Sequence, residues 1–266
     1  MTKISPEIKK YLKENSLDEL LQEEIDIDLK RGINESVDPT VVKPYRADWI
    51  DLVRLHKLIR KRRVTTILEF GCGHSTLIFA DALNKNKESY GDFVASELRR
   101  NNAFELHVVE DMPFYLDAVS KRIPKHLESN IFFTNSEVRM TTFADRICTE
   151  YSLLPNICPD FIYLDGPSQH SAIGDVCGIS TRHPDRLPMS CDLLKIEHFL
   201  LPGTFVVVDG RTANARFLRS NLQRNWTYRH DKSADVSLFE LVEKPLGRYN
   251  QAQVSFCLGK RWPRSG

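Results

Sequence analysis

Four acids, Glu69, Glu110, Asp165 and Asp209, each stand at the end of a short apolar run. Carboxylates gathered at neighbouring strand ends repel one another, and a cation among them removes that cost. The chemistry such a set offers is the binding of a positively charged ligand, a divalent metal, or both. Asp165-Gly166 and Asp209-Gly210 are also ordinary turn sequence, so a plain turn stands as the alternative at both. Beside the first acid, Gly71-Cys72-Gly73-His74-Ser75 forms a loop whose two glycines let backbone lie against a ligand. Cys72 is either the variable position between those glycines or a thiol near a helix start. His170, shortly after Asp165, has the side-chain type whose pKa suits a general base; an exposed loop histidine is the other reading.

The elements that must position these residues follow from hydrophobic periodicity. Val64 to Phe70 reads as a buried strand, and Leu77, Ile78, Ala80 and Leu83 as the helix after the glycine loop. Further strands are predicted at Glu105–Glu110, Ile131–Thr134, Asp160–Leu164, Thr204–Asp209, Trp226–Tyr228 and Asp235–Val242, with helices between most of them. Continuous apolar runs such as Phe205 to Val208 suit parallel strands covered on both faces. In such sheets ligands bind beyond the carboxyl ends of the strands, where the four acids stand. The class is therefore α/β, with a nucleotide-binding sheet over residues 46–246.

Residues 1–45 read as an N-terminal helical extension, with a capping box at Ser16 and a breaker-rich connector from Asn34 to Pro44. Tyr45 and Arg46 are either a lid over the site or a plain linker. Asp48 caps a helix bearing Trp49, Leu52, Val53, His56 and Ile59 on one stripe. That helix closes in Arg60-Lys61-Arg62-Arg63, read as a solvated, dipole-favoured end before a nucleic-acid patch. The polar stretch Asn84 to Asn102 reads as an insertion, either a surface loop or part of the substrate mouth. Gly166 to Pro188, rich in breakers, is expected to border an acceptor pocket. In the C-terminal tail, 247–266, alternation over Gln251–Leu258 predicts an edge strand or a docked segment.

Composition narrows the partners. With 37 Lys+Arg against 36 Asp+Glu there is no global field to recruit nucleic acid or an anionic membrane. No apolar stretch approaches the ~18 residues of a membrane span. The charged N-terminus and six scattered cysteines without a C-x-x-C pair predict reduced thiols, no zinc site and a cytoplasmic protein. A small-molecule substrate is expected; oligomeric state is not readable.

Glu69-x-Gly71-x-Gly73-x-Ser75 resembles the E/D-x-G-x-G-x-G first motif of class I S-adenosylmethionine-dependent methyltransferases, with serine at the last glycine. A dinucleotide fingerprint would want its third glycine or alanine where Thr76 stands, and an acid before the loop opposes a pyrophosphate. The resemblance implies a Rossmann-like, doubly wound, mostly parallel seven-stranded sheet with an antiparallel last strand. It implies S-adenosyl-L-methionine contacts at Glu69, Gly71, Cys72, Gly73, His74, Ser75 and Asp165. Glu110 would accept the ribose hydroxyls, although its gap from the loop exceeds the usual ~20 residues. Asn135 and Ser136 would lie at the adenine edge, or are turn residues. The segment from Asp165 to His170 is similar to the Asp-Gly-x-His region of bacterial small-molecule O-methyltransferases, with the histidine displaced. Catalytic roles are thereby expected for Asp165, His170 and Asp209. Catechol and caffeoyl-coenzyme A methyltransferases carry Asp-Asn at the fifth strand and bind magnesium. Asp209-Gly210 lacks that third ligand, so no metal residue is assigned and magnesium use stays open. The implied activity is methyl transfer to a hydroxyl of a sugar or secondary metabolite. An NAD-type oxidoreductase and a non-catalytic methyltransferase-like binding protein are the rivals. The N-P-P-Y-type motif of base methylation is absent after the fourth strand.

Overall fold

The structure, a computed structural model, describes residues 5–21 and 48–259. The expected connector at 34–44 and the lid residues Tyr45 and Arg46 lie outside the described residues. Seven strands form one sheet in the order β3-β2-β1-β6-β7-β9-β8. They are β1 (Thr66–Phe70), β2 (Glu105–Glu110), β3 (Ile131–Asn135), β6 (Phe161–Leu164), β7 (Phe205–Asp209), β8 (Trp226–Asp231) and β9 (Val236–Leu241). All neighbours pair parallel except β9, which runs antiparallel to both β7 and β8. The last strand in the chain is thus the reversed one, and the sheet is doubly wound and Rossmann-like.

Alternation assigns the two faces. Ile67, Phe161, Tyr163 and Val207 share one cluster with α3 (Trp49–Arg62) and α4 (His74–Glu97). Leu68, Ile162, Leu164, Val206 and Val208 share the other with α7 (Asp192–Ile196) and α8 (Thr212–Asn221). Every residue of β1 and β6 is buried, as expected of central parallel strands. At the amino end of the sheet Asp160 ties β1 to β6. Its carboxylate accepts the Thr65 and Thr66 N–H groups and the Thr65 hydroxyl at 2.8–3.2 Å.

Several expectations are corrected. Helix α4 runs through the polar stretch expected to be an insertion and ends at Glu97. Its buried Asn86 donates to the Ile59 and Val64 carbonyls and accepts from Arg60, so that polarity joins α4 to α3. The basic run at the end of α3 is solvated at Lys61 and Arg63 but also engaged. Arg62 bonds Gly203 O and Glu240 and lies 4.3 Å over the Phe205 ring, while Arg63 bonds Phe256 O. Ser16 adopts a left-handed conformation and makes no cap; Ser5 caps α1 (Pro6–Glu14), and α2 is a single turn, Leu17–Leu20. The tail alternation belongs to a helix, α9 (Gly247–Leu258), which buries Val254, Phe256 and Leu258 against Val94 and Phe104. Residues two apart can share the broad buried side of a helix that packs on two neighbours, so alternation alone misled.

Between β3 and β6 the chain makes a hairpin, β4 (Val138–Phe143) and β5 (Arg146–Tyr151). Its turn is Ala144-Asp145, both at positive φ. The breaker-rich segment after β6 is stitched along this hairpin: Met140 N–H donates to Ile173 O and Ile173 N–H to Val138 O, at 2.9 and 2.8 Å.

Candidate active site

The chain leaves β1 toward β2 and β3, then returns to build β6 and β7 on the other side. The loops after β1 and β6 therefore meet at the switch in strand order. They touch backbone to backbone. Asp165 N–H donates to Phe70 O at 2.9 Å, and on the other side Gly71 N–H donates to Val109 O of β2, also at 2.9 Å. A Cβ on Gly166 would stand 2.6 Å from Gly71 N and 2.5 Å from Tyr151 Oη. Gly71 itself is at φ +90°. Both glycines are required by this crossing. Gly73 differs: its φ of 177° is ordinary extended backbone, and a Cβ there would meet nothing within 4 Å. It opens onto free space at the start of α4.

The acids divide into two kinds. Glu69 is fully buried and faces the loop: Ser75 donates to it at 2.5 Å and Thr76 at 2.8 Å. Thr76 in turn accepts Gly73 N–H at 3.1 Å. Burial pushes the Glu69 carboxyl up to about 8, against the lowering effect of both hydroxyls, with Asp165 and Glu110 adding repulsion. Glu69 and Ser75, the expected ligand contacts, are hydrogen-bonded to each other and brace the glycine loop. Glu110 receives Cys72 N–H at 3.1 Å and Met112 N–H at 2.9 Å, and burial raises its carboxyl to about 7. Each oxygen keeps a lone pair for a further donor.

Asp165 and Asp209 form the outer pair. Arg211 donates to the Asp165 and Pro167 carbonyls, and its Nε stands 3.5 Å from the Asp165 carboxylate. The Asp165 side chain is 55% exposed at the rim, and desolvation raises it to about 6, with Arg211 opposing and Asp209 reinforcing. Asp209 accepts the buried Tyr163 hydroxyl, and burial raises its carboxyl too. Among the described residues no group of three or more His, Cys, Asp or Glu side chains could hold a metal ion. The Asp209 carboxylate accepts from Tyr163, while Arg211 hydrogen-bonds the Asp165 backbone carbonyl and leaves its carboxylate at the rim.

His74 Nδ1 stands 3.2 Å from an Arg122 guanidinium nitrogen. The Cys72 thiol is pushed up by burial and by Glu110 and Glu69, which sets aside a reactive thiolate. Asn135 is exposed and donates to Glu110 O at 3.2 Å. Ser136 is buried, and its hydroxyl accepts Leu153 N–H at 2.8 Å, holding the chain beside β5. His170 lies in an exposed turn, where its backbone N–H meets Ser168. Sequence reading missed Arg211, Tyr163 and Tyr151, whose buried hydroxyl beside Gly166 has no partner. Their partners are far along the chain, so no local pattern marks them.

No protein-family model and no curated protein matches the chain. Among solved structures it is similar to an SAH-bound methyltransferase of Podospora anserina, at 12% identity and a TM-score of 0.48, covering 84% of this chain and 88% of that one. An O-methyltransferase of Bacillus cereus in complex with SAH is similar at 13% identity and TM-score 0.43, covering 85% and 90%. The tomaymycin-synthesis O-methyltransferase of Streptomyces achromogenes, in complex with SAM, is similar at 15% identity and TM-score 0.41, covering 86% and 89%.

Proposed function

We propose that this chain is an S-adenosylmethionine-dependent methyltransferase acting on a small molecule, a hydroxyl of a sugar or secondary metabolite. The observation that carries the reading is the switch point itself. Backbone free of side chains opens at Gly73, and around the switch point the carboxyls of Glu110 and Asp165 are raised by burial first and by neighbouring carboxylates second. A phosphate-free cation relieves that crowding, whereas a diphosphate would add to it.

When bound, the cofactor supplies a methyl group on an activated sulfonium leaving group. The protein's own residues then do three things. The loop braced by Glu69, Ser75 and Thr76 fixes the Gly71–Gly73 backbone against which the cofactor lies. Glu110, anchored by two N–H groups, offers its remaining lone pairs to hydroxyl donors. Asp165, open to solvent at the rim, accepts a proton from the acceptor hydroxyl. The segment after β6, laid along the hairpin, borders the same rim and would shape the acceptor pocket.

Transfer of labelled methyl from S-adenosylmethionine to a panel of hydroxylated sugars and phenols tests this proposal. Labelled product that depends on Asp165 is the expected result; cofactor binding without product on any acceptor would favour a binding protein.

A further inference from the structure

One side chain joins the two outer strand exits. Arg211 follows Asp209 and Gly210 at the end of β7 and opens α8; Gly210, at φ +57°, turns the chain between the acid and the arginine. From there the guanidinium reaches the exit of β6. Its Nη1 donates to Pro167 O at 2.7 Å and its Nη2 to Asp165 O, so one group holds the carbonyls on both sides of Gly166. Its Nε stands 3.5 Å from the Asp165 carboxylate. The Arg211 side chain is only 14% exposed, whereas the carboxylate it faces is open at the rim.

This task calls for arginine. A guanidinium is a planar fork that can hold two carbonyls while a third nitrogen faces an acid, and it stays charged at any working pH. Lysine keeps the charge but brings a single nitrogen. What the fork holds is the loop that meets the glycine loop: Gly166 packs against Gly71 N and Tyr151, so the place of Asp165 is tied to that of the Gly71–Gly73 backbone. The acidic groups around the carboxylate oppose its charge. Asp209 from β7 raises the Asp165 carboxyl, Glu69 at the end of β1 and the Tyr163 hydroxyl on its own strand are raised by it in turn, and Arg211 lowers it.

We infer that Arg211 is the positioning residue of this site: it reaches across from β7 to fix the exit of β6, and with it the place of the Asp165 carboxylate. The inference rests on the reading of Asp165 as the group that takes the acceptor's proton. The guanidinium also keeps that carboxyl ionised at a lower pH than its acidic neighbours alone would allow.

Carboxyl-carbon NMR of the intact protein, with Asp165→Asn assigning the signal, reads this carboxylate whether or not methyl is transferred. In Arg211→Met its titration midpoint is expected to rise by about one pH unit, the lower end for loss of an adjoining opposite charge, because the acid is half exposed. In Arg211→Lys it is expected to stay near about 6. Labelled-methyl transfer is then followed in the same variants. A kcat lower by roughly tenfold or more is expected in Arg211→Met above the midpoint, with the KM for S-adenosylmethionine changed less and partial recovery in Arg211→Lys. Should Arg211→Met fail to fold, Arg211→Gln carries the same expectation. An unmoved midpoint in the neutral variant, or equal losses of kcat in the neutral and lysine variants, would overturn the inference. A midpoint that moves as expected in a protein that methylates no acceptor would overturn the methyl-transfer reading instead, and leave the hold of Arg211 on Asp165 standing.

Discussion

Glu69 is an acid that has become part of the backbone scaffold. Its ordinary carboxyl value of 4.5 is raised to about 8 in the folded chain. The folded state therefore holds this proton more tightly than the unfolded state. That contribution to stability is complete below about 4.5 and disappears as pH rises through about 8. Glu69→Gln removes the titration while keeping a group that can meet Ser75 and Thr76. The melting temperature of Glu69→Gln relative to the natural protein is expected to rise between pH 5 and pH 9; parallel melting curves across that range would contradict the assignment. Asp165 is the opposite kind of acid, open and beside the crossing loops. Asp165→Asn is expected to lower kcat by roughly 100-fold or more, as for loss of a general base, with a smaller effect on cofactor affinity. The rate of the proposed transfer should climb as pH rises through about 6 and then level, following ionisation of this carboxyl. A flat profile, or an unchanged kcat in the variant, would remove Asp165 from the chemistry.

Two glycines of the switch point have separable duties at the scale of elements. Gly166→Ala forces a methyl into Tyr151 and the Gly71 backbone, and is expected to cost about 1–3 kcal/mol, read as a melting temperature lower by several degrees. Gly73→Ala meets no protein atom and should melt like the natural protein, yet lose affinity for S-adenosylhomocysteine because the methyl enters the ligand's space. Equal melting losses in both would contradict this division. The strands, their order along the chain and the glycine loop were legible because buried parallel strands are short continuous apolar runs and the loop's spacing is local. The hairpin was not legible: Ala144-Asp145 is not a common turn pair for two positive-φ residues, and β4 mixes polar with apolar positions. Helix α9 was misread because its buried side is broad, and α4 because Lys85, Asn86 and Lys87 look like loop until Asn86 finds the Ile59 and Val64 carbonyls. Acids at strand ends were visible, but which of them face a ligand depends on partners. Ser75 and Thr76 claim Glu69, and Tyr163 and Arg211 engage the outer pair.

At the scale of the molecule the two ends of the sheet differ in charge. The carboxyl end gathers Glu110, Asp165 and Asp209 around an open backbone, while the segments at the amino end carry Arg99 and Arg100. The buried Asp160 clamp, with Arg100 3.9 Å away, lies at the amino end and holds β1 and β6 in the register that brings Gly71 and Gly166 together. No helix among the described residues is long and apolar enough to cross a membrane. The account's central claim is that the acid-rimmed switch point admits a nucleoside that carries an amino-acid ammonium and no phosphate. Isothermal titration of the intact chain with S-adenosylhomocysteine and, separately, with NAD tests it most directly. Saturable binding of S-adenosylhomocysteine, weakened in Glu110→Gln, with none for NAD, is the predicted result; binding of NAD without S-adenosylhomocysteine would contradict it.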